Sequence, residues 1–269
     1  MAVKAFQKEL CRLLARNRKD AGDAYVAGGV ALNVLLNGAR LSRDIDLFHD
    51  TDESLARTWD ADRNLLQHNG YTIKIVRERP VFIEAVVSDG TQNVIVQWAR
   101  DSAYRFFPLV EDEQFGLVLH PFDLATNKCL ALAGRLEPRD WVDMITCHQR
   151  VQPLGYLVWA ACGKDVGFSP ELILAEAQRS SRFSHEELNA LDFEGKPPLF
   201  SELMPVWKDA IVDAGKICSV LPEDKLGTCV LNRQGGLLKA SGDELALLVQ
   251  KDAVTFHSGH IGGVMPAIQ

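Results

Sequence analysis

The most informative stretch of this chain is AYVAGGVALNVLLNGARLSRDIDLF, residues 24–48. It opens with an apolar run, Ala24–Ala27, that stops at the glycine pair Gly28-Gly29. The apolar segment Val30–Leu36 then predicts a short helix, and Asp44–Phe48 alternates charged and apolar side chains with the period of a strand. The stretch therefore predicts a strand, a glycine turn, a helix and a second strand.

Asp44 and Asp46 are two residues apart on the predicted second strand, so their carboxylates project from the same face. Two such carboxylates repel each other unless a cation lies between them, and a hard divalent cation is the usual partner of oxygen ligands. At Gly28 and Gly29 the absence of a Cβ lets backbone N–H groups approach a phosphate, and the following helix N-terminus favours its charge. We therefore expect a phosphate site and a metal site within one stretch.

The glycine pair followed by Asp44-x-Asp46 resembles the signature of the nucleotidyltransferase superfamily. The sequence Ser42–Phe48 resembles more narrowly the AbiEii-type abortive-infection toxins of bacteria, which are nucleotidyltransferases of type IV toxin–antitoxin systems. The resemblance implies an α+β fold, in which a polymerase-β-like mixed sheet with helices precedes a mainly helical lobe. It also implies that Asp44 and Asp46 are catalytic residues that bind Mg²⁺, and that the amides of Gly28 and Gly29 bind the phosphates of an NTP. Many superfamily members carry Ser in place of Gly29, so here backbone N–H groups are expected to bind the phosphates alone.

A second block, residues 120–150, strengthens the resemblance. Pro121 and Asp123 suit the first turn of a helix, and Pro138 suits the start of the next. The order Asp-Leu-Ala-x-x-Lys, Gly-Arg, Pro-Arg-Asp-x-x-Asp resembles the downstream motifs of the AbiEii family. Its residues in this chain are Asp123, Lys128, Gly134, Arg135, Pro138, Arg139, Asp140 and Asp143.

The resemblance assigns roles to three residues of this block. Lys128 is implied to be a catalytic residue that contacts the nucleotide phosphates, and Arg139 is implied to bind the nucleotide as well. Asp140 is implied either to orient Lys128 or to act as a base near the acceptor hydroxyl. The alternative is an ion-pair network that only holds the helices together, with Arg139 and Asp143 paired at the i, i+4 spacing.

The superfamily normally places a third metal-binding carboxylate on a strand after Asp-x-Asp. That strand is predicted here at residues 93–98, and Gln97 occupies the position where an acid is expected. Asp101 is the nearest carboxylate and is predicted as a third metal ligand, with a cap or a salt bridge to a neighbouring arginine as the alternative. Glu84, on the preceding strand, is a weaker candidate for the third metal ligand. Because Gln97 stands where the superfamily has an acid, the sequence leaves open whether one or two metal ions bind.

The composition bounds the class of protein. Of 269 residues, 47% are apolar and 24% are charged, as in an ordinary globular protein. No run approaches the roughly 18 apolar residues of a membrane span, and the N-terminus lacks the apolar core of a signal peptide, so we expect a cytoplasmic protein.

Six scattered cysteines without a Cys-x-x-Cys pair indicate buried thiols in a reducing compartment. A net charge of -7 argues against a strongly basic nucleic-acid-binding protein, but not against RNA bound at a local basic patch.

The order of elements predicts two domains. Residues 1–120 are expected to form the catalytic nucleotidyltransferase domain, and residues 121–269 a mainly helical C-terminal lobe. The first domain is predicted to begin with an amphipathic helix at residues 3–19 and to contain a loop at residues 105–115.

The end of the chain carries weaker signals. A short strand at residues 228–231 and a turn at residues 234–236 predict a small ribbon. The glycine-rich tail contains His257 and His260, which we expect to be flexible because no third metal ligand is nearby.

Together with these patterns, the resemblance implies a metal-dependent nucleotidyltransferase that transfers an NMP from an NTP to an acceptor hydroxyl. The expected acceptor is RNA such as tRNA, and the expected role is that of a toxin in a toxin–antitoxin or phage-defence system. The predicted partners are the NTP, tRNA and a separately encoded antitoxin, and no membrane. One alternative is an enzyme of the same fold that modifies a small molecule. The other is a catalytically inactive homologue that binds a nucleotide or a partner, which the missing acid at Gln97 favours.

Overall fold

The computed structural model describes residues 4–180 and 183–267. Residue 3, where the first helix is predicted to begin, and the outer limits of the two predicted domains lie outside the described residues. The chain forms two compact units. One comprises the residues up to Ala103 together with Leu109–His120, and the other comprises Tyr104–Pro108 together with the residues from Pro121 onward.

The helices and strands follow one another in an order that mixes both types. They are α1 (Ala5–Ala21), β1 (Ala24–Ala27), α2 (Gly28–Leu35), β2 (Asp44–His49), α3 (Asp52–His68), β3 (Thr72–Arg79), β4 (Phe82–Ser88), β5 (Asn93–Arg100), β6 (Tyr104–Arg105), β7 (Val110–Asp112), β8 (Gly116–Val118), α4 (Pro121–Arg135), α5 (Pro138–Arg150), α6 (Leu154–Ala161), α7 (Pro170–Arg179), α8 (His185–Asn189), α9 (Phe200–Val220), β9 (Cys229–Asn232), α10 (Gly242–Gln250), β10 (Val254–His257) and β11 (His260–Ile261). Across the described part of the chain, no helix combines the length and the apolar character needed to cross a membrane.

The first unit is built on a seven-stranded mixed sheet with the strand order β3-β4-β5-β2-β1-β8-β7. β2 pairs in parallel with β5 and antiparallel with β1, and β1 pairs in parallel with β8. β4 pairs antiparallel with β3 and with β5. The predicted α+β fold with a mixed sheet is confirmed.

The two faces of this sheet have different surroundings. On β2 the side chains of Ile45 and Leu47 are buried, whereas those of Asp44 and Asp46 are only partly buried. The buried face is covered by α3, because Trp98 of β5 lies with its ring centroid 4.7 Å from that of Trp59 and its indole N–H donates to Asp62 at 2.9 Å. We call the opposite face, to which Asp44 and Asp46 belong, the carboxylate face.

The segment predicted as a loop, residues 105–115, partly forms a hairpin. β7 and β8 pair antiparallel at the edge of the sheet. Oδ1 of Asp112 accepts the N–H groups of Gln114 at 2.8 Å and Phe115 at 2.9 Å, which closes the turn. The loop prediction is wrong for Val110–Asp112, because a strand of three residues is too short to show a period of two.

The second unit is mainly helical. α6 is buried along its whole length, and its residues Tyr156 and Trp159 share an apolar cluster with Ile217 of α9. The segment Tyr104–Pro108 belongs to this unit. It is held there because the buried carboxylate of Asp123 accepts the N–H groups of Phe106 at 2.9 Å and of the next residue at 3.0 Å.

The last part of the described chain, up to residue 267, contains paired strands. β9 confirms the predicted strand near residue 229, and an antiparallel bridge between Leu231 and Leu237 spans the predicted turn. β9 also pairs with β10, which lies beyond α10 in the chain. β11 pairs with β6, and the ring nitrogen Nε2 of the buried His257 lies 2.8 Å from the carbonyl oxygen of Phe106. The expectation of a flexible tail is wrong for His257 and His260, because their strands pair with segments that are distant in the sequence.

Candidate active site

The glycine turn lies where β1 passes directly into α2. Gly28 has φ +65°, in the left-handed region that residues with a Cβ rarely adopt. The antiparallel register places Ala27 opposite Asp46. A Cβ added to Gly28 would lie 1.8 Å from Oδ2 of Asp46, so this carboxylate packs directly against the glycine backbone. The structure thus brings together the glycine turn and one of the two predicted metal ligands.

Asp44 is the other carboxylate of this face. The Ser42 hydroxyl donates to Oδ1 of Asp44 over a long 3.5 Å contact. Ser42 is itself buried and fixed, because its carbonyl oxygen accepts a hydrogen bond of 3.0 Å from Nε2 of Gln7. Asp44 and Asp46 therefore lie on one face of β2, as the alternation predicts. Asp44 is in addition held by Ser42, which Gln7 fixes in place.

Arg40 and Ser42 lie beside the second glycine, and the sequence patterns point to neither as a site residue. A Cβ on Gly29 would lie 2.6 Å from Nη2 of Arg40 and 2.9 Å from Oγ of Ser42. Arg40 is only 5% exposed and carries a permanent positive charge. A buried positive charge therefore lies beside the turn at which backbone N–H groups were expected to bind the phosphates alone. The available signal was an arginine placed four residues before Asp44.

Gln97 occupies the position directly beside Asp46 in the parallel register of β2 and β5. Its amide nitrogen donates to Oε2 of Glu84 on β4 at 2.8 Å. This hydrogen bond leaves the amide oxygen of Gln97 as an acceptor, since the two ends of a carboxamide have opposite roles. The neighbour of Asp46 on the carboxylate face is therefore a neutral amide whose orientation is set by Glu84.

Asp101 lies farther from this group. It follows the last residue of β5, and its N–H donates to the carbonyl oxygen of His49 at 3.0 Å. Its Oδ1 accepts the N–H of Ser102 at 2.7 Å. Asp101 lies four positions after Gln97, which corresponds to roughly 13 Å along an extended strand. The register therefore brings Gln97, rather than Asp101, next to Asp46, with Glu84 one strand farther away.

The donor set of the carboxylate face suits Mg²⁺. Within residues 4–180 and 183–267, no cluster of three or more His, Cys, Asp or Glu side chains is placed to bind a metal ion. Mg²⁺ is commonly bound through one or two carboxylates, with waters and substrate phosphates completing its six oxygen ligands. Asp44, Asp46 and the amide oxygen of Gln97 are hard oxygen donors of this kind. The residues present therefore fit a Mg²⁺ ion that is completed by a nucleotide.

In the second unit, Lys128 lies between two buried carboxylates. Its Nζ is 2.9 Å from Oδ1 of Asp140 and 3.2 Å from Oδ2 of Asp143. Asp140 also accepts two hydrogen bonds from Arg135, at 2.7 and 3.0 Å. Lys128 is 7% exposed and both carboxylates are fully buried, so these helices share a compact ion-pair network.

The contacts of Asp140 bear on its two suggested roles. Burial by itself would raise the pKa of Asp140, but the hydrogen bonds from Arg135 and the charge of Lys128 hold this pKa below its usual range. A carboxylate with a lowered pKa is a weak base, whereas its 2.9 Å contact is what orienting Lys128 requires. Arg139 is half-buried, and in the described ranges its Nε has no hydrogen-bond partner. The expected pairing of Arg139 with Asp143 is replaced by the pairing of Lys128 with Asp143.

Comparison with known proteins supplies the family. The sequence profile described as "Nucleotidyl transferase AbiEii toxin, Type IV TA system" matches residues 12–193, which is more than half of the chain. The chain belongs to the AbiEii family. It is therefore a nucleotidyltransferase of a toxin family, and the matched range contains the glycine turn, both carboxylates of β2 and the Lys128 network. The type IV system named in this description implies an NTP substrate and an antitoxin partner.

One solved structure shows the same fold. The AbiEii chain resembles MenT4, a nucleotidyltransferase toxin from Mycobacterium tuberculosis H37Rv, with a TM-score of 0.55 and 14% identity over 82% of this chain and 85% of that one. It also matches JHP933 from Helicobacter pylori, with a TM-score of 0.47 and 17% identity over 78% of this chain and 91% of that one. No curated protein sequence matches the chain.

Proposed function

We propose that this AbiEii nucleotidyltransferase transfers a nucleoside monophosphate from an NTP to a hydroxyl group of RNA such as tRNA. The observation that carries the proposal is the packing of the Asp46 carboxylate against Gly28, with Asp44 on the same face of β2. This arrangement places oxygen ligands for a cation beside backbone N–H groups that suit a phosphate. Toxicity would follow because a modified RNA is withdrawn from use until the cognate antitoxin, encoded separately, opposes the effect.

In the proposed reaction, the acceptor hydroxyl oxygen attacks the α-phosphorus of the NTP. One P–O bond forms to the acceptor and one breaks to release pyrophosphate, while the hydroxyl proton passes to solvent. Asp44 and Asp46 would hold Mg²⁺, with the amide oxygen of Gln97 as a neutral ligand. A metal ion bound there would neutralise phosphate charge and lower the pKa of the attacking hydroxyl.

The residues of this chain have separate tasks in the proposal. The N–H groups of Gly28 and Gly29 bind the terminal phosphates, and Arg40 adds a fixed positive charge beside them. In the second unit, Lys128 and Arg139 are proposed to contact the nucleotide. Asp140 is proposed to hold the Lys128 ammonium in place through the 2.9 Å contact.

The experiment combines purified protein, Mg²⁺, each α-³²P-labelled NTP in turn and total tRNA. We expect label on tRNA with the native chain and with Asp60→Asn, a matched change at an exposed position of α3. We expect no label with Asp46→Asn, which removes one charge without changing the size of the side chain. Omission of Mg²⁺ or its replacement by EDTA should abolish labelling with the native chain and with Asp60→Asn.

Other outcomes distinguish the alternatives. Label on a small molecule would keep the chemistry and overturn the RNA acceptor. Nucleotide binding without any labelled product would overturn the enzyme proposal and favour the inactive homologue. Label on tRNA that survives in Asp46→Asn would overturn the assigned site.

A further inference from the structure

β3, at one edge of the sheet, has all its positive charges on one side. The strand is exposed along almost its whole length and carries Lys74, Arg77, Glu78 and Arg79. Lys74 pairs with Val86, Arg77 with Glu84 and Arg79 with Phe82. Because directly paired residues of an antiparallel ladder project from the same face, these three cations share one face, whereas Glu78 projects from the other.

A β-bulge produces this sorting of charges. The register shifts between Ile75 and Arg77, which leaves Val76 as an extra residue. In a regular strand, Val76 and Glu78 would share the face of Lys74, since the period is two. The bulge replaces them on that face with Arg77 and Arg79. Bulges next to active sites commonly redirect side chains in this way.

The three cations lie on the carboxylate face. Arg77 is opposite Glu84, Glu84 is opposite Gln97, and Gln97 is beside Asp46, so one continuous row crosses the four strands. Three strand spacings of about 4.8 Å place the backbone of Arg77 roughly 14 Å from that of Asp46. A stacked nucleic-acid strand advances about 3.4 Å per nucleotide, so this distance corresponds to roughly four nucleotides.

The charges are available to a ligand. In the described part of the chain, no salt bridge involves Lys74, Arg77 or Arg79. The guanidinium of Arg77 lies 5.7 Å from the centre of the Phe82 ring, which combines a cation with an aromatic side chain. The acid on this path, Glu84, already accepts the hydrogen bond from Gln97.

We propose that this surface, defined by Lys74, Arg77, Arg79 and Phe82, binds the phosphates of the acceptor RNA within about four nucleotides of the reacting hydroxyl. The proposal rests on the proposed function and adds the path of the acceptor strand. The chain has a net charge of -7, so attraction to RNA must come from a local concentration of cations. Phe82 offers a flat apolar ring on which a base can stack, as in sequence-tolerant binding of single strands.

The test uses two triple variants that remove the same charge. One is Lys74→Gln/Arg77→Gln/Arg79→Gln, and the control is Arg12→Gln/Arg16→Gln/Arg63→Gln. The control residues lie on α1 and α3, away from the buried positions of these helices, and α3 covers the opposite face of the sheet. Binding of fluorescently labelled tRNA and of a short single-stranded RNA is measured by anisotropy over a range of salt concentrations.

We expect the β3 variant to weaken RNA binding at least tenfold, whereas the control stays near the native affinity. The slope of log affinity against log salt should fall by about 2, since each phosphate contact to a single strand contributes roughly 0.7. The KM for the acceptor should rise and the KM for the NTP should stay unchanged. The variant Arg77→Lys/Arg79→Lys keeps the charges and should keep the native slope.

Each other outcome overturns a defined part of the proposal. Equal losses in both triple variants would attribute binding to net charge and not to β3. A parallel rise in the KM for the NTP would place the cations at the nucleotide instead of at the acceptor. Absence of RNA binding by the native chain would overturn the proposal that this surface binds RNA. RNA binding through β3 without NMP transfer would overturn the proposed function and leave the surface standing.

Discussion

Gly28 is required for two separate reasons. Its φ of +65° is unfavourable for any residue with a Cβ, and the space a Cβ would take is filled by the Asp46 carboxylate. Gly22 provides a natural comparison, because it has φ +76° and, its chain neighbours aside, no atom within 4 Å of the position that a Cβ would occupy. The two glycines thus share backbone strain and differ in their contact with the carboxylate.

We predict that Gly22→Ala lowers the free energy of unfolding by about 1–2 kcal/mol because of its left-handed backbone. Gly28→Ala should lower it by at least as much, because its Cβ also collides with the Asp46 carboxylate. Only Gly28→Ala should reduce the rate of NMP transfer, by about 100-fold, because it displaces Asp46 from its position. Urea denaturation and the tRNA-labelling assay measure the two quantities. Similar transfer rates in the two variants would show that contact with Gly28 does not position Asp46.

His49, at the end of β2, is a second residue with a measurable property. Its Nδ1 lies 3.2 Å from the carbonyl oxygen of Ala99 and therefore carries the proton, while Nε2 is buried and has no hydrogen-bond partner in the described residues. Burial lowers the pKa of His49 from 6.5 to about 4. Below pH 6.5 the unfolded chain takes up a proton that the folded chain does not.

The stability of the native protein should therefore fall as the pH drops from 6.5 to 4, by up to about 3 kcal/mol from this residue. The variant His49→Asn removes the titration while keeping an N–H donor, so its stability should change less over the same range. Free energies of unfolding from urea titrations at several pH values test this. Parallel curves for the two proteins would exclude His49 as the source.

The helices α4 and α5 are joined by the network of Lys128, Asp140 and Arg135. Removing one member of a buried ion pair leaves the other charge without compensation, which typically costs several kcal/mol. The exposed pair of Lys216 and Asp243, at 2.8 Å, is a matched comparison, because surface pairs contribute little. Burial, rather than distance, is what separates the two cases.

We predict that Asp140→Asn lowers the free energy of unfolding by about 3 kcal/mol at pH 7, and Asp243→Asn by less than about 0.5 kcal/mol. The pKa of Asp140 is lowered in the folded state, so its contribution is present above the unfolded value of about 3.9 and is lost as the pH falls below it. The difference between native and Asp140→Asn should therefore shrink at pH 3. A constant difference from pH 7 to pH 3 would contradict an ionic role.

Across the whole molecule, the six cysteines behave alike. All six are free thiols, and only Cys218 is partly exposed. Burial raises the pKa of Cys218 to about 12 and that of Cys162 to about 11, and it raises the pKa of the other four as well. Because the thiolate is the reactive form, these groups should be inert in the folded protein.

We predict that the native protein reacts with none of its thiols during a brief exposure to Ellman's reagent at pH 8, and that all six react after unfolding in guanidinium. Cys218→Ser should leave the native result unchanged and lower the unfolded count by one. Rapid reaction of a native thiol would show that its surroundings open readily. The transfer activity should likewise be insensitive to reducing agents.

Short-range sequence patterns were sufficient to predict the individual helices and strands around the site and to indicate the family. The alternation of Asp44–Phe48 and the glycine pair each depend on a few neighbouring residues, so their consequences are visible in the sequence. The order of elements then predicted the mixed sheet. The roles of Lys128, Arg139 and Asp140 came from resemblance and stay predictions, since no observation of a bound nucleotide tests them.

The tertiary structure decided which distant residues are neighbours. Strand register places Gln97, not Asp101, beside Asp46, and the bulge at Val76 turns Arg77 toward the carboxylate face. Pairing across the fold also orders His257, which the local sequence alone had suggested to be flexible. These outcomes depend on contacts between segments far apart in the chain, whereas a periodic pattern specifies only which face of its own element a residue occupies.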